Sequence, residues 1–253
     1  MPYAEAYQPD RSIKGKVRRQ MVRFAHRRPL ETAPDRPMIS FAFDDAPQSA
    51  TRAGARILES RGLRGTYYVA SGLSTGQLPM GLCAGPVDYR RLLGAGHELA
   101  CHTSGHLDCG QESAAAVAAD IDRNAAVLHL WGAGEVVNFA YPYGDVSAPV
   151  KEMLGERFAT VRALHHGVIE KGSDLNQVPA VGIEGPHGEE TARQWMATAL
   201  RRKAWLILFT HDVQSIPSPW GCMPEALERL VDQSLSMGFD VLTVRDAARR
   251  LGL

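Results

Sequence analysis

The chain has 253 residues, 45% hydrophobic and 22% charged, which is the composition of a soluble α/β domain with a sizeable core. Its 28 basic and 28 acidic residues cancel, so no global charge excess argues for nucleic acid as a partner. No run approaches the ~20 apolar residues of a membrane span, and the amino-terminal stretch lacks the apolar core of a secretory signal, so a cytoplasmic protein is expected.

Residues 1–36 form a basic extension. Between Arg11 and Arg28 there are eight Lys or Arg and no acid. Ile13, Val17, Met21 and Phe24 fall at helical spacing there, so a short basic amphipathic helix is expected. Such a helix is usually a solvated face; it can also touch an anionic lipid surface or a phosphate-bearing substrate. The segment 32–37 reads as the linker into a second unit, 37–253.

From Met38 onward strand-like and helix-like patterns alternate. Strands are predicted at 38–43, 65–70, 97–101, 137–142, 158–164, 177–183, 204–210 and 240–244. Helices are predicted at 49–61, 86–94, 112–131, 147–157, 189–201 and 223–237. Strict alternation implies parallel strands with helices outside, and seven or eight units suggest closure into a barrel.

Four strand tips carry polar, reactive residues. The first strand runs into Asp44-Asp45, two like charges that need a cation or a shared proton between them unless they are only a turn. The strand at 97–101 ends at His102, with His106 four places on; Gly105 argues against a helix through the pair, so a loop must aim both rings. Two imidazoles and the Asp45 carboxylate would make a three-ligand zinc set with an open position. The third tip, Phe139 to Gly144, places Pro142 in a turn whose next backbone N–H can face an oxyanion. The fourth ends a buried strand at His211. Cys83, Cys101, Cys109 and Cys222 have no paired spacing and read as buried reduced thiols, with Cys101 and Cys109 as the alternative soft ligands beside the histidines.

With these motifs in this order the chain resembles the polysaccharide deacetylases, the NodB-homology or carbohydrate esterase 4 family. The resemblance runs from about Ile39 to Leu251 and rests on FDDAP at 43–47, GTYYV at 65–69, GHELACHTSGH at 96–106, FAYPYG at 139–144, LFTHDV at 208–213 and GFDVLTVRDA at 238–247. It implies a distorted (β/α)7 barrel and one divalent metal ion, most often zinc. It implies Asp44 as general base, Asp45, His102 and His106 as metal ligands, and His211 as general acid. It also implies that the Tyr143 backbone N–H helps to bind the oxyanion.

Two departures stand out. Ala140 occupies the place of an arginine that in much of the family orients the base; Arg162 is the candidate substitute, with a surface arginine as the alternative. The Asp-containing segment that in the family partners the acid histidine has no clear match in 165–185, where His165 and His166 read as loop residues. Trp220 is expected on the substrate wall, His97 in a structural turn, and Asp212 turned away from His211.

The expected activity is metal-dependent removal of N-acetyl groups from an amino sugar. The substrate would be nucleotide-linked, lipid-linked or an oligosaccharide in cell-surface polysaccharide or lipopolysaccharide biosynthesis. A deformylase, a cyclic-amide or ureide hydrolase, and a silent glycan-binding protein are the alternatives.

Overall fold

The computed structural model describes residues 13–253; Arg11, with the rest of residues 1–12, and the side chains of Ile13, Lys14 and Lys16 lie outside the described residues. In chain order the helices are α1 Ile13–Val22, α2 Ala55–Glu59, α3 Pro86–Gly94, α4 Ala114–Leu130, α5 Ala148–Arg157, α6 Gly188–Arg202, α7 Pro224–Ser236 and α8 Val244–Arg250. The strands are β1 Met38–Asp44, β2 Thr66–Val69, β3 Gln77–Leu78, β4 Gly81–Leu82, β5 Glu98–Cys101, β6 Asn138–Ala140, β7 Thr160–Arg162, β8 Val181–Gly182, β9 Trp205–Thr210 and β10 Asp240–Val241.

Seven parallel strands lie in the order β7-β6-β5-β2-β1-β9-β8, and β10 pairs with the start of β1. The sheet curls until a bridge between Arg162 and Val178 brings its two ends together. The fold is the expected distorted barrel. Its strands are shorter than the apolar runs suggested, because those runs continue past the paired residues into turns that cap the barrel. The hairpin β3–β4 and the helix α8 have no counterpart among the expected elements. The predicted helix at 49–61 begins instead as a π-helical turn, Ala50–Gly54.

The central strand explains the layering. All seven residues of β1 are buried, and successive side chains face opposite sides. Ile39, Phe41 and Phe43 pack in the outer layer with Ile57, Leu58, Leu227 and Leu230 of the helices. Met38 and Ala42 face the barrel interior, with Tyr68, Ala140, Ile207 and Phe209. The same alternation puts Asp44 on the interior side at the strand tip. A strand that buries both faces this way therefore delivers a carboxylate into the barrel mouth.

The basic extension docks on the barrel through a face other than the apolar stripe. Val22 joins the core cluster of Val146, Val150 and Phe158, and Arg18 Nη2 lies 2.6 Å from Asp145 Oδ2. The buried Lys151 ammonium caps the helix end by donating to the Val22 carbonyl at 2.9 Å and pairs with Asp174 at 2.7 Å. Val17, Met21 and Phe24 are left 50%, 67% and 70% exposed.

Candidate metal and hydrolase centre

The loop after β5 is built to aim two imidazoles at one carboxylate. Asp120 of α4 accepts the backbone N–H groups of Ser104 at 2.5 Å and Gly105 at 2.9 Å, and Thr103 Oγ1 accepts that of Leu107 at 2.9 Å. Held this way, Thr103 and His106 sit at φ 59° and 53°. Asp45, Ala46 and Tyr143 also have positive φ, so strained backbone, which costs of order 1–3 kcal/mol per residue, is concentrated at this mouth.

His106 Nε2 lies 3.5 Å and His102 Nε2 3.8 Å from Asp45 Oδ1. One ligand atom from each residue falls within a 4.8 Å set. The His102 Nδ1–H donates to the Ala140 carbonyl at 2.8 Å, which leaves the Nε2 lone pair for a cation. Burial, with His106 close by, holds the His102 pKa down to about 3, so its ring is neutral. Asp45 Oδ1 is buried and accepts no hydrogen bond. A neutral imidazole and a buried carboxylate with an open acceptor are the chemistry of a cation site. The residues present fit a divalent metal.

Asp44 is adjacent in sequence but separate in environment. Its Oδ2 accepts from Arg162 Nη2 at 2.5 Å, while its buried Oδ1 has no hydrogen-bond partner. Arg162 is fully buried and lies over the rings of Tyr68 at 4.8 Å and Phe209 at 4.7 Å. It pairs in register with Ala140 on β6. The small residue at 140 leaves room inside the barrel, and an arginine one strand away reaches Asp44 through it.

His211 follows Thr210, the register partner of Phe43, so its ring stands beside the Asp44 tip. Nδ1 bonds Glu184 Oε1 at 2.9 Å and approaches the Trp220 carbonyl at 3.2 Å. Burial alone would lower the His211 pKa, but the Glu184 hydrogen bond and the charges of Asp44, Glu184 and Asp45 push it up to about 9. Glu184 is a site residue that sequence reasoning missed. It follows the two-residue strand β8, and Gly182 leaves space for it, since a Cβ there would lie 2.9 Å from Glu184 Oε2. Its one mark in the sequence, a carboxylate directly after Val181-Gly182-Ile183, is too short a pattern to have singled it out.

The remaining sequence candidates are placed as follows. The Tyr143 ring meets that of His106 edge-on, 4.5 Å between centroids, and Pro142 is buried in the same turn. Gly144 has φ +71°, and a Cβ there would lie 2.6 Å from Leu164 Cγ, so the turn takes no side chain at this position. Trp220 packs against Leu78, Met80 and Cys83, and its carbonyl also accepts the His211 N–H at 3.0 Å. Asp212 turns to Ser218, whose N–H it accepts at 2.9 Å. His97 is buried between the Gly65 N–H and Glu59. All four cysteines are free and buried, and none joins the Asp45 cluster.

The polysaccharide deacetylase family profile matches residues 31–157, half of the chain. The chain belongs to the polysaccharide deacetylase family. No curated protein sequence matches it. Solved structures that share the fold at low identity include the following three. The Xyl-CE4 domain of a multidomain xylanase from the hindgut metagenome of Trinervitermes trinervoides is 19% identical with a TM-score of 0.60, over 87% of this chain and 93% of that one. The chitin deacetylase of the fungal pathogen Colletotrichum lindemuthianum is 17% identical with a TM-score of 0.63, over 85% and 89%. A family 4 acetyl xylan esterase from Clostridium thermocellum, solved with a cobalt ion, is 19% identical with a TM-score of 0.56, over 83% and 89%.

The hydrogen bond from Glu184 gives a pH test. If protonated His211 is the working form, activity is lost as pH rises through its pKa. Glu184→Gln removes the charge that raises that pKa, so the alkaline limb of kcat/KM is expected to move down by about one unit or more. An unmoved limb in a folded variant would assign it to another group.

Proposed function

We propose that the protein is a metal-dependent hydrolase that removes N-acetyl groups from an amino sugar. The reading is carried by one observation: the neighbouring carboxylates of Asp44 and Asp45 are held apart, one by Arg162 and the other by two imidazoles. That separation suits one for proton transfer and the other for a cation. Asp45, His102 and His106 would hold a divalent ion, zinc by the character of the donor set. Such an ion lowers the pKa of water and polarises a carbonyl.

The chain's own residues supply the rest. Asp44 takes the proton of the attacking water at Oδ1, its open oxygen, while Arg162 fixes Oδ2. His211, protonated at neutral pH, gives a proton from Nε2 to the leaving amine, because Glu184 engages Nδ1. An amine departs from the tetrahedral carbon only once protonated, so this acid is as necessary as the base. The Tyr143 backbone N–H, set by Pro142, faces the oxyanion; such a donor is typically worth about 3 to 4 kcal/mol. Trp220 walls the sugar with its ring face.

Dialysis against a chelator should remove both metal and turnover, and zinc should restore both. Mass spectrometry of acetamido sugars with the zinc-loaded protein should show loss of acetyl; zinc bound with no acetyl lost from any of them would overturn the reading.

A peripheral membrane contact belongs to the same proposal. Val17 and Met21 on α1 and Phe24 in the turn after it are exposed beside the exposed Arg23 and Arg27 of the same turn and the residues that follow, a basic, apolar edge suited to an anionic surface. No helix among the described residues is long and apolar enough to cross a membrane. Met21→Ser/Phe24→Ser should reduce co-flotation with vesicles containing phosphatidylglycerol by several-fold; wild type that fails to float with them would remove the contact. On this reading the protein works in the cytoplasm, on an intermediate of cell-surface polysaccharide or lipopolysaccharide assembly.

A further inference from the structure

A basic groove lies between α1 and the segment 163–179, next to the barrel mouth. Its first part, about 390 Å³, is lined by Arg19, Arg23, Gly144, Ala163, His165 and Gln177 among others. A second part, about 350 Å³, shares Arg23, His165 and Gln177 and adds Arg27 and His166. The two parts therefore form one continuous trough. Two of its lining residues are one step along the chain from the proposed centre. Gly144 follows Tyr143, and Ala163 follows Arg162.

The charges in the trough do not cancel locally. Two acids line it, Asp145 and Asp174. Asp145 is held by Arg18 at 2.6 Å, with Arg19 at 3.9 Å, and Asp174 by the buried Lys151 at 2.7 Å. Each acid is thus paired with a cation that does not line the trough, Asp145 with Arg18 and Asp174 with Lys151. Arg23 has no acidic partner among the described residues, and Arg27 reaches only the Gly172 carbonyl, at 3.0 Å. His165 stays neutral, its pKa lowered to about 4 by burial first and then by the charge of Arg23. Like charges gathered in a cleft without a counter-charge set up a field that an anion relieves. Guanidinium forks are matched in shape to phosphate and carboxylate oxygens.

We propose that this trough is an anion subsite, and that the substrate carries a phosphate ester or a carboxylate next to the sugar that loses its acetyl group. The inference rests on the deacetylase reading and narrows its substrate class from amino sugars in general to anionic ones. A phosphate would come from a carrier linkage and a carboxylate from a neighbouring uronate.

The zinc-loaded wild type and an Arg23→Gln/Arg27→Gln variant are compared by calorimetry and by acetate release. Three probes are used: N-acetylglucosamine 1-phosphate, a disaccharide of N-acetylglucosamine and glucuronate, and neutral di-N-acetylchitobiose. Wild type is expected to bind at least one of the anionic probes tenfold or more tightly than the neutral one, with a preference that weakens as salt rises. The anionic probe that wins identifies the source of the charge. In the variant the preference should shrink to threefold or less. Equal binding of all three probes to wild type, or a preference that survives in the folded variant, would overturn the subsite. Arginine-dependent binding of an anionic probe with no acetate from any probe would support the subsite while sinking the deacetylase reading. Acetate release with no preference for charge would do the reverse.

Discussion

Asp44→Asn is expected to lower kcat by about 10²- to 10⁴-fold, the range for loss of a general base, while metal content stays unchanged. Asparagine keeps the size of the side chain and an acceptor for Arg162 Nη2, but its amide cannot take a proton from water. The metal set is untouched, because Asp45, His102 and His106 do not draw on Asp44 for any hydrogen bond in the structure. Stability should fall as well, since Arg162 is fully buried and would face a neutral partner. The loss should be smaller than the roughly 3–5 kcal/mol of a buried ion pair broken outright. Metal analysis, thermal melting and acetate release on the same sample separate these effects. A variant that keeps wild-type turnover would remove Asp44 from the chemistry.

Arg162→Met is expected to have the second-largest effect, on both stability and pH dependence. It leaves Asp44 buried with Oδ1 and Oδ2 both lacking a hydrogen-bond partner, given that Arg162 is the partner of Oδ2. Burial without a partner cation disfavours the charged form of a carboxylate. Because the base must be ionised, the acid limb of kcat/KM should move to higher pH and activity at neutral pH should fall about tenfold or more. Breaking the pair should cost roughly 3–5 kcal/mol. Methionine retains contact with Tyr68 and Phe209, which limits the cavity. The Asp44→Asn/Arg162→Met double variant should recover part of the lost stability, because no uncompensated charge remains; melting curves of all four proteins close that cycle. An unshifted acid limb would make Arg162 a packing residue only.

The centre was legible in the sequence where strand tips carry it. Asp44, His102 and His211 end apolar runs, so parallel topology alone predicts that they share a mouth. Arg162 was reachable on the same logic, because it ends β7 and its interior direction follows from strand alternation. Glu184 was not, because β8 is too short for a periodic signal and its role depends on β9 bringing His211 alongside. The trough was hidden for a different reason. It joins residues about 140 positions apart in the chain, such as Arg23 and His165, and only tertiary docking places them together. Docking also overrode the helical stripe of α1. The core contact is made by Val22 and the pair Arg18–Asp145, while the periodic apolar row stays outside. Hydrophobic spacing identified the helix correctly, but not which face it would bury.

In the proposed reaction, water cleaves an N-acetyl bond at the Asp44–Asp45 mouth. Its most direct test is turnover of an acetamido sugar by the zinc-loaded protein in oxygen-18 water, with both products followed by mass spectrometry. Acetate carrying one solvent oxygen and a sugar bearing a free amine are expected, both formed at least about a hundredfold more slowly by Asp44→Asn. Acetate released while the amide stays intact, or no acetate at all from zinc-loaded wild type, would contradict it.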